Sequence, residues 1–259
     1  RDVIKMNPEE VKKINAGYLP PYFLSNGDMF LNDMEIKIRN ELKKGNIYYT
    51  MDGSDPDESS LFYNKPFKID ATVGIKARTF WDNGESSGVN EKTFTKVNTI
   101  SGVEKSFSKG IKYEFFDKNS FEKSSGVSLG FRKLPDFSLL DPTSIGVSSK
   151  LDLKVRESDD YFALRFFGFV HVPTNGIYTF YSDSDDGSKI FIHDKLVVDN
   201  DYTHGMTEVS GQIALKKGKH PIKVLFFQGE GGKGLEVSFS GPETPKMIVP
   251  EEILFHTND

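Results

Sequence analysis

The stretch YFALRFFGFVHV, residues 161–172, puts Phe162, Leu164, Phe166, Val170 and Val172 on one side of an extended chain, with Gly168 among them. Strand side chains alternate between faces, so this period of two predicts a half-buried strand rather than a helix. The same period runs through most of the 259 residues. In MEIKIRN, Met34, Ile36 and Ile38 alternate with Glu35, Lys37 and Arg39, and in NIYYTMDG, Ile47, Tyr49 and Met51 share a face. GIYTFYS, KIFIH, KLVVD, HPIKVLFFQ and LEVSFSG follow, each bounded by Gly, Asp, Asn or Pro. Such spacing predicts an all-β chain.

Two blocks of strands stand apart. Residues 17–97 read as a β-sandwich with Asp-Gly and Asn-Gly turns. Residues 110–259 hold longer, more aromatic strands, up to about ten, and read as a larger antiparallel β-sandwich or barrel. Between them, 98–109 is polar and aperiodic and is expected to be a linker. Only PEEVKKIN, residues 8–15, carries helix signals, so 1–16 is expected to be a linker or remnant helix.

Composition narrows the partners. Twenty-two Phe and ten Tyr supply buried area, so the chain is a folding one. The net charge of −5 comes from interspersed Lys and Glu without a block of like sign, which argues against nucleic acid. The chain has no cysteine, hence no disulfide or thiolate metal site, and no run approaching the ~18 apolar residues of a membrane span. It begins at Arg1, without an initiator Met or signal-like segment, which predicts a piece of a longer protein whose targeting sequence lies elsewhere.

Several motif matches fail on context. Gly126-Val127-Ser128-Leu129-Gly130 fits a nucleophile elbow, but no buried strand precedes it and Pro135 follows closely. Gly229-Glu230-Gly231-Gly232-Lys233-Gly234 fits a dinucleotide fingerprint, yet a strand follows where a helix is required. It reads as a loop between antiparallel strands. Asp52, Asp55 and Asp57 in DGSDPD read as turn residues. His204 follows Asp199, Asn200 and Asp201 and reads as a loop residue rather than a metal ligand. SDSDDGS, residues 182–188, holds Asp183, Asp185 and Asp186 within four positions. Two readings stay open: a polar hairpin loop, or a site for a hard cation such as Ca²⁺.

Longer patterns add a resemblance. GNIYYTMDGSDPDESSLFYNKPFKID with GIKARTFWDNGESSGV resembles the fibronectin-type-III-like module at the C-terminus of chitobiases and β-hexosaminidases. That module implies an immunoglobulin-like accessory sandwich. GIYTFYSDSDDGSKIFIHDKLVVDN, SGQIALKKGKHPIKVLFFQGEGGKGLEVSFSGP and VPEEILFH resemble the protective-antigen-type β domain. In yeast adhesins of that kind, adjacent aspartates hold a Ca²⁺ that contacts sugar hydroxyls, and Asp185 and Asp186 sit on those positions. The second adhesin loop falls near Gln228–Lys233, where Gln228 and Glu230 are present but the adhesins' Asn is not.

The expectation is therefore a non-catalytic, carbohydrate-binding C-terminal portion of an extracytoplasmic glycoside hydrolase, of β-N-acetylhexosaminidase type. Its partners would be a glycan, N-acetylhexosamine-containing or another oligosaccharide, and a catalytic domain upstream in cis. Asp185, Asp186, Gln228, Glu230 and Trp81 are the candidate sugar-binding residues, with Asp183, Asp185 and Asp186 as candidate Ca²⁺ ligands. Trp81 has a competing reading as half-buried core. Two other classes remain: a ligand-free spacer or protein-interaction module, and a glycosidase in its own right, although no catalytic set is visible.

Overall fold

A computed structural model describes residues 11, 17–25, 27–41, 45–120 and 132–258. The expected helix over 8–15, Val11 apart, and the serine motif at 126–130 lie outside the described residues. The chain divides into two compact units, Arg1–Val97 and Asn98–Asp259. No described helix is long and apolar enough to cross a membrane.

The first unit carries β1 (Tyr22–Leu24), β2 (Met29–Phe30), β3 (Met34–Arg39), β4 (Asn46–Thr50), β5 (Leu61–Phe62), β6 (Phe67–Ile69), β7 (Val73–Phe80) and β8 (Asn90–Lys96). They form two sheets, ordered β1-β3-β6 and β2-β8-β7-β4-β5. Neighbours are antiparallel except β2 and β8. Ile36 and Ile38 of β3 turn inward onto Ile47, Ile75, Ala77 and Phe94, while Glu35 and Lys37 pair outside. Tyr49 also faces in, stacked on Phe67 at 4.6 Å. Met51 departs from the expected face because β4 ends at Thr50, which leaves Met51 exposed in the turn. In that turn Asp52 Oδ1 accepts from Ser54 N and Oγ, and Asp57 Oδ1 accepts from Ser59 N and Oγ. These bonds stabilise the ionised carboxylates and hold both pKa values below the usual range. DGSDPD is a turn, as its residues predict.

The second unit carries β9 (Ser108–Lys109), β10 (Ile111–Phe116), β11 (Ser144–Ser148), β12 (Phe162–Val172), β13 (Gly176–Asp185), β14 (Ser188–Ile192), β15 (Lys195–Asn200), β16 (Thr207–Leu215), β17 (Gly218–Gln228), β18 (Gly234–Gly241), β19 (Thr244–Ile248) and β20 (Leu254–His256). One sheet runs β11-β10-β12-β17-β14-β15, with β20 bridging β12 to β9, and the other runs β16-β13-β18-β19. Both stay open, so the architecture is a sandwich and not a closed barrel.

Phe162, Leu164, Phe166, Val170 and Val172 all point into the space between these sheets, against Tyr178, Phe180, Phe226 and Phe239. Each such burial contributes about 1.5–3 kcal/mol. Gly168 interrupts the series because β20 passes there. A Cβ on Gly168 would stand 2.4 Å from Phe255 O. A smaller apolar cluster, Phe116, Leu134, Phe137, Ala163 and Phe227, uses residues at the alternate positions of the larger sheet.

Residues 98–109, expected as a linker, are bonded onto the second unit. Ile100 N donates to Ala214 O, Lys216 N donates to Ile100 O, and Val103 N donates to Lys219 O. Backbone groups make these bonds, so side-chain periodicity carries no sign of them.

Candidate functional site

The alternation that buries Tyr178 and Phe180 continues along β13 and sends Ser182 and Ser184 inward, leaving Asp183 and Asp185 on the outer face. The Asp185–Asp186 peptide is cis, and Asp186 turns back into the protein, 3% exposed. Its carboxylate joins three loops. Oδ2 accepts from Gly229 N at 2.7 Å and Oδ1 accepts from His204 N at 3.2 Å. Burial pushes the Asp186 pKa above the usual carboxylate value, and the two N–H donors oppose that rise only in part.

Hydroxyls support this corner from beneath. Ser188 Oγ lies 2.7 Å from Ser182 Oγ and 2.8 Å from Ser184 Oγ. Asn200 Nδ2 donates to Ser184 Oγ at 3.0 Å and to Thr207 O at 2.7 Å. All four side chains are buried. Thus β13, β14, β15 and β16 are tied together directly below the aspartates.

Asp185 pairs across the strands with Gly234, and its Oδ2 lies only 2.5 Å from where a Cβ on Gly232 would be. The glycine lets the 229–233 loop lie against the carboxylate. Gln228 is fully buried at the root of that loop, and its Nε2 donates to Gly232 O at 2.7 Å. Its Oε1 has no hydrogen-bond partner. A buried acceptor without a donor is costly, by about 1–3 kcal/mol, unless something else engages it. Glu230 is exposed on the same loop and hydrogen-bonds Tyr161, which raises the phenol pKa.

The candidate residues therefore separate. Asp185, Asp186 and Gln228 meet at one corner, with Glu230 on its loop. Asp183 lies one outward position back along β13, flanked in register by Glu208 of β16 and Glu236 of β18. Among the described residues, no group of three or more His, Asp or Glu side chains is arranged to hold a metal ion. Trp81 belongs to the first unit, half-buried and edge-on to Tyr18 at 4.9 Å. His204 contributes its backbone N–H, while its ring nitrogens face Gly205 O and Asn200 O. The 229–234 glycines form a loop between β17 and β18, not a phosphate cradle before a helix.

Sequence reasoning passed over Ser182, Ser184, Ser188, Asn200 and Gly232. Carrying the period of two past Phe180 would have marked both Ser182 and Ser184 as inward.

A family model described as the PA14 domain matches residues 85–252. The chain belongs to the PA14 domain family. A second model, described as Fn3 associated, matches residues 36–94. Anti-sigma-I factor RsgI3 of Acetivibrio thermocellus is 30% identical over 97 residues, a match that spans 37% of this chain and 15% of that protein. Among solved structures, the PA14 domain of the MpAFP antifreeze protein aligns at a TM-score of 0.47 and 15% identity, over 62% of this chain and 98% of that one. The PA14 sugar-binding domain from an RTX adhesin aligns at 0.47 and 15%, over 57% of this chain and 99% of that one.

Proposed function

We propose that the PA14 unit is a non-catalytic carbohydrate-recognition module whose shallow site is the corner formed by Asp185, Asp186 and the 228–233 loop. The observation that carries this reading is the pairing of two adjacent carboxylates with the unpartnered, buried Oε1 of Gln228. Oxygen donors without hydrogens suit Ca²⁺, and burial raises the Asp186 pKa beyond what its two N–H donors offset, so a cation beside this carboxylate would favour its charged form. Asp185, Asp186 and Gln228 would hold the ion, with backbone carbonyls of the glycine loop completing the set. When bound, Ca²⁺ supplies a Lewis acid to which vicinal sugar hydroxyls bind. Glu230 and Tyr161 stand at the rim, where they would contact the glycan. Asp183 is an outer-face neighbour better suited to raising the local negative potential than to ligating the same ion.

The resemblance of residues 17–97 to the chitobiase-type module favours a place in an extracytoplasmic glycoside hydrolase of hexosaminidase type, delivering glycan to a catalytic domain in cis. A second reading rests on the 97-residue match to an anti-sigma-I factor. There the same module would serve a regulatory protein instead of a hydrolase. The full reading frame distinguishes the two by its other domains.

The recognition site itself is tested on a glycan array, with and without Ca²⁺, using wild type and the Asp185→Asn, Asp186→Asn double variant. Calcium-dependent binding that the double variant loses supports the proposal. Absence of binding under every condition, or binding indifferent to chelator and to the double substitution, overturns it.

A further inference from the structure

At the other end of β17 from Gln228, two histidines form a pair that the proposed site does not use. His193 and Asp194 make the two-residue turn between β14 and β15, both with positive φ. The His193 Nε2 lies 2.7 Å from His220 Nδ1, and His220 Nε2 lies 2.7 Å from Lys216 O. His220 is fully buried. A carbonyl oxygen only accepts, so His220 Nε2 carries its hydrogen. In the neutral ring Nδ1 is then the lone pair, and it accepts from His193 Nε2–H.

The β16–β17 turn, which carries Lys216, holds residues 100–103 together with the start of β17. Lys216 offers its carbonyl to His220 and its N–H to Ile100 O, at 2.8 Å. Val103 N donates to Lys219 O at 2.9 Å, and Gly102 packs so closely that a Cβ would stand 3.0 Å from the Lys219 backbone. His193 N donates to Pro221 O at 3.1 Å. One small region therefore joins the β14–β15 turn, the β16–β17 turn and residues 100–103.

We propose that the His193–His220 pair is an acid-sensitive latch that keeps residues 100–103 fastened to the second unit. A proton arriving at His220 Nδ1 turns the acceptor into a donor aimed at His193 Nε2–H. The bond breaks and a buried charge is left. The described neighbours give little relief: Lys216, Lys217 and Lys219 lie on the adjoining turn and β17, His171 on β12 and Lys195 on β15, while the opposing carboxylate of Asp194 lies 3.5 Å from Lys223 Nζ. Burial lowers the pKa of both rings; for His220 the hydrogen bond to the Lys216 carbonyl opposes this in part, and the neighbouring imidazoles of His193 and His171 add to the lowering. His171 is itself lowered, by burial and by Lys219, Lys217 and Lys109. Since the folded values lie below the ordinary 6.5, the latched state is fully favoured above that pH and loses ground as pH falls toward the folded values. At about pH 5 an opened, ordinary imidazole is ~30-fold more often protonated than neutral. Opening then becomes up to about thirtyfold more frequent.

Amide hydrogen exchange on the full chain tests this between about pH 7.5 and about pH 5, corrected for the intrinsic slowing of exchange in acid. The amides of Ile100, Val103, His193 and Lys216 should lose protection by up to about thirtyfold, while Leu164 and Phe180 in the core keep theirs. In His220→Gln, the side-chain amide can donate to Lys216 O and accept from His193 without titrating, so the pH dependence should shrink to what His193 alone contributes. Imidazole titration of the wild type by NMR gives a second measure that needs no variant, and His220 should titrate below 6.5. Protection at Ile100 and Val103 indifferent to pH would overturn the latch. So would an ordinary titration of His220, or pH dependence undiminished in folded His220→Gln.

Discussion

Asn200→Ala removes the one amide that fastens the base of the aspartate corner. Asn200 is 5% exposed, and its Nδ2 donates to Thr207 O at 2.7 Å and to Ser184 Oγ at 3.0 Å. Alanine takes both donors away. Ser184 keeps its partner in Ser188, so the larger loss falls on the Thr207 carbonyl. A buried acceptor stripped of its donor costs about 1–3 kcal/mol; the Thr207 carbonyl is only part-buried, so the lower half of that range applies, and with the small void left by the amide the expected destabilisation is ~1–2 kcal/mol. Asn200→Asp should cost more, because a carboxylate oxygen would face Thr207 O with no hydrogen between them. Urea unfolding of the second unit, followed by tyrosine fluorescence, measures both as shifts in midpoint at constant slope. The His204 Nε2 contact is to the main-chain carbonyl of Asn200, which both variants keep, so the 201–205 loop should stay in place. A change below about 0.5 kcal/mol for Asn200→Ala, the size of an ordinary surface substitution, would refute the view that this amide is structural.

Gly232→Ala places a Cβ 2.5 Å from Asp185 Oδ2 and should abolish Ca²⁺ binding by calorimetry while shifting the melting temperature little, since the loop is on the surface. If Ca²⁺ binds only the folded state, a hundredfold excess over Kd should raise stability by about 2.7 kcal/mol, read as a melting shift that chelator reverses. Gly211→Ala should prevent folding of the second unit or destabilise it severely, because its Cβ would stand 1.7 Å from Val197 O; a soluble variant with a wild-type melt would contradict the packing of β15 on β16. Residues 98–259 should melt at higher temperature than 110–259, because only the longer piece keeps the Ile100 and Val103 bonds.

How much of this was legible in the sequence depends on which atoms do the work. Ile36 and Ile38, and the Phe162-to-Val172 series, face inward because side chains alternate on a strand, and that rule needs no tertiary information. The turn at 52–57 was legible for a similar reason: an Asp carboxylate accepts from the backbone N–H two residues on. The limits appear where the decisive bond joins distant backbone atoms. Nothing local marks 98–103 as fastened to Lys216 and Lys219, for its own side chains are aperiodic and its bonds run through main-chain N–H and C=O groups.

The corner at Asp185 and Asp186 shows the same division within a single loop. Three nearby carboxylates suggested a common ligand set, but the strand's alternation, already used to assign Phe180, puts Asp183 and Asp185 on the outer face two residues apart, about 7 Å along the chain. Asp186 leaves the strand and is held by Gly229 and His204, partners 43 and 18 residues away. Spacing in sequence thus brings the three carboxylates into one stretch, while strand alternation and the turn at Asp186 set their separate surroundings. Gln228 Oε1 is an uncharged oxygen whose burial and lack of a hydrogen-bond donor become visible only when β17 ends beside the glycine loop. Local carboxylate density identifies where a cation would be attracted; the long-range pairing of β12, β13 and β17 decides which oxygens could reach it.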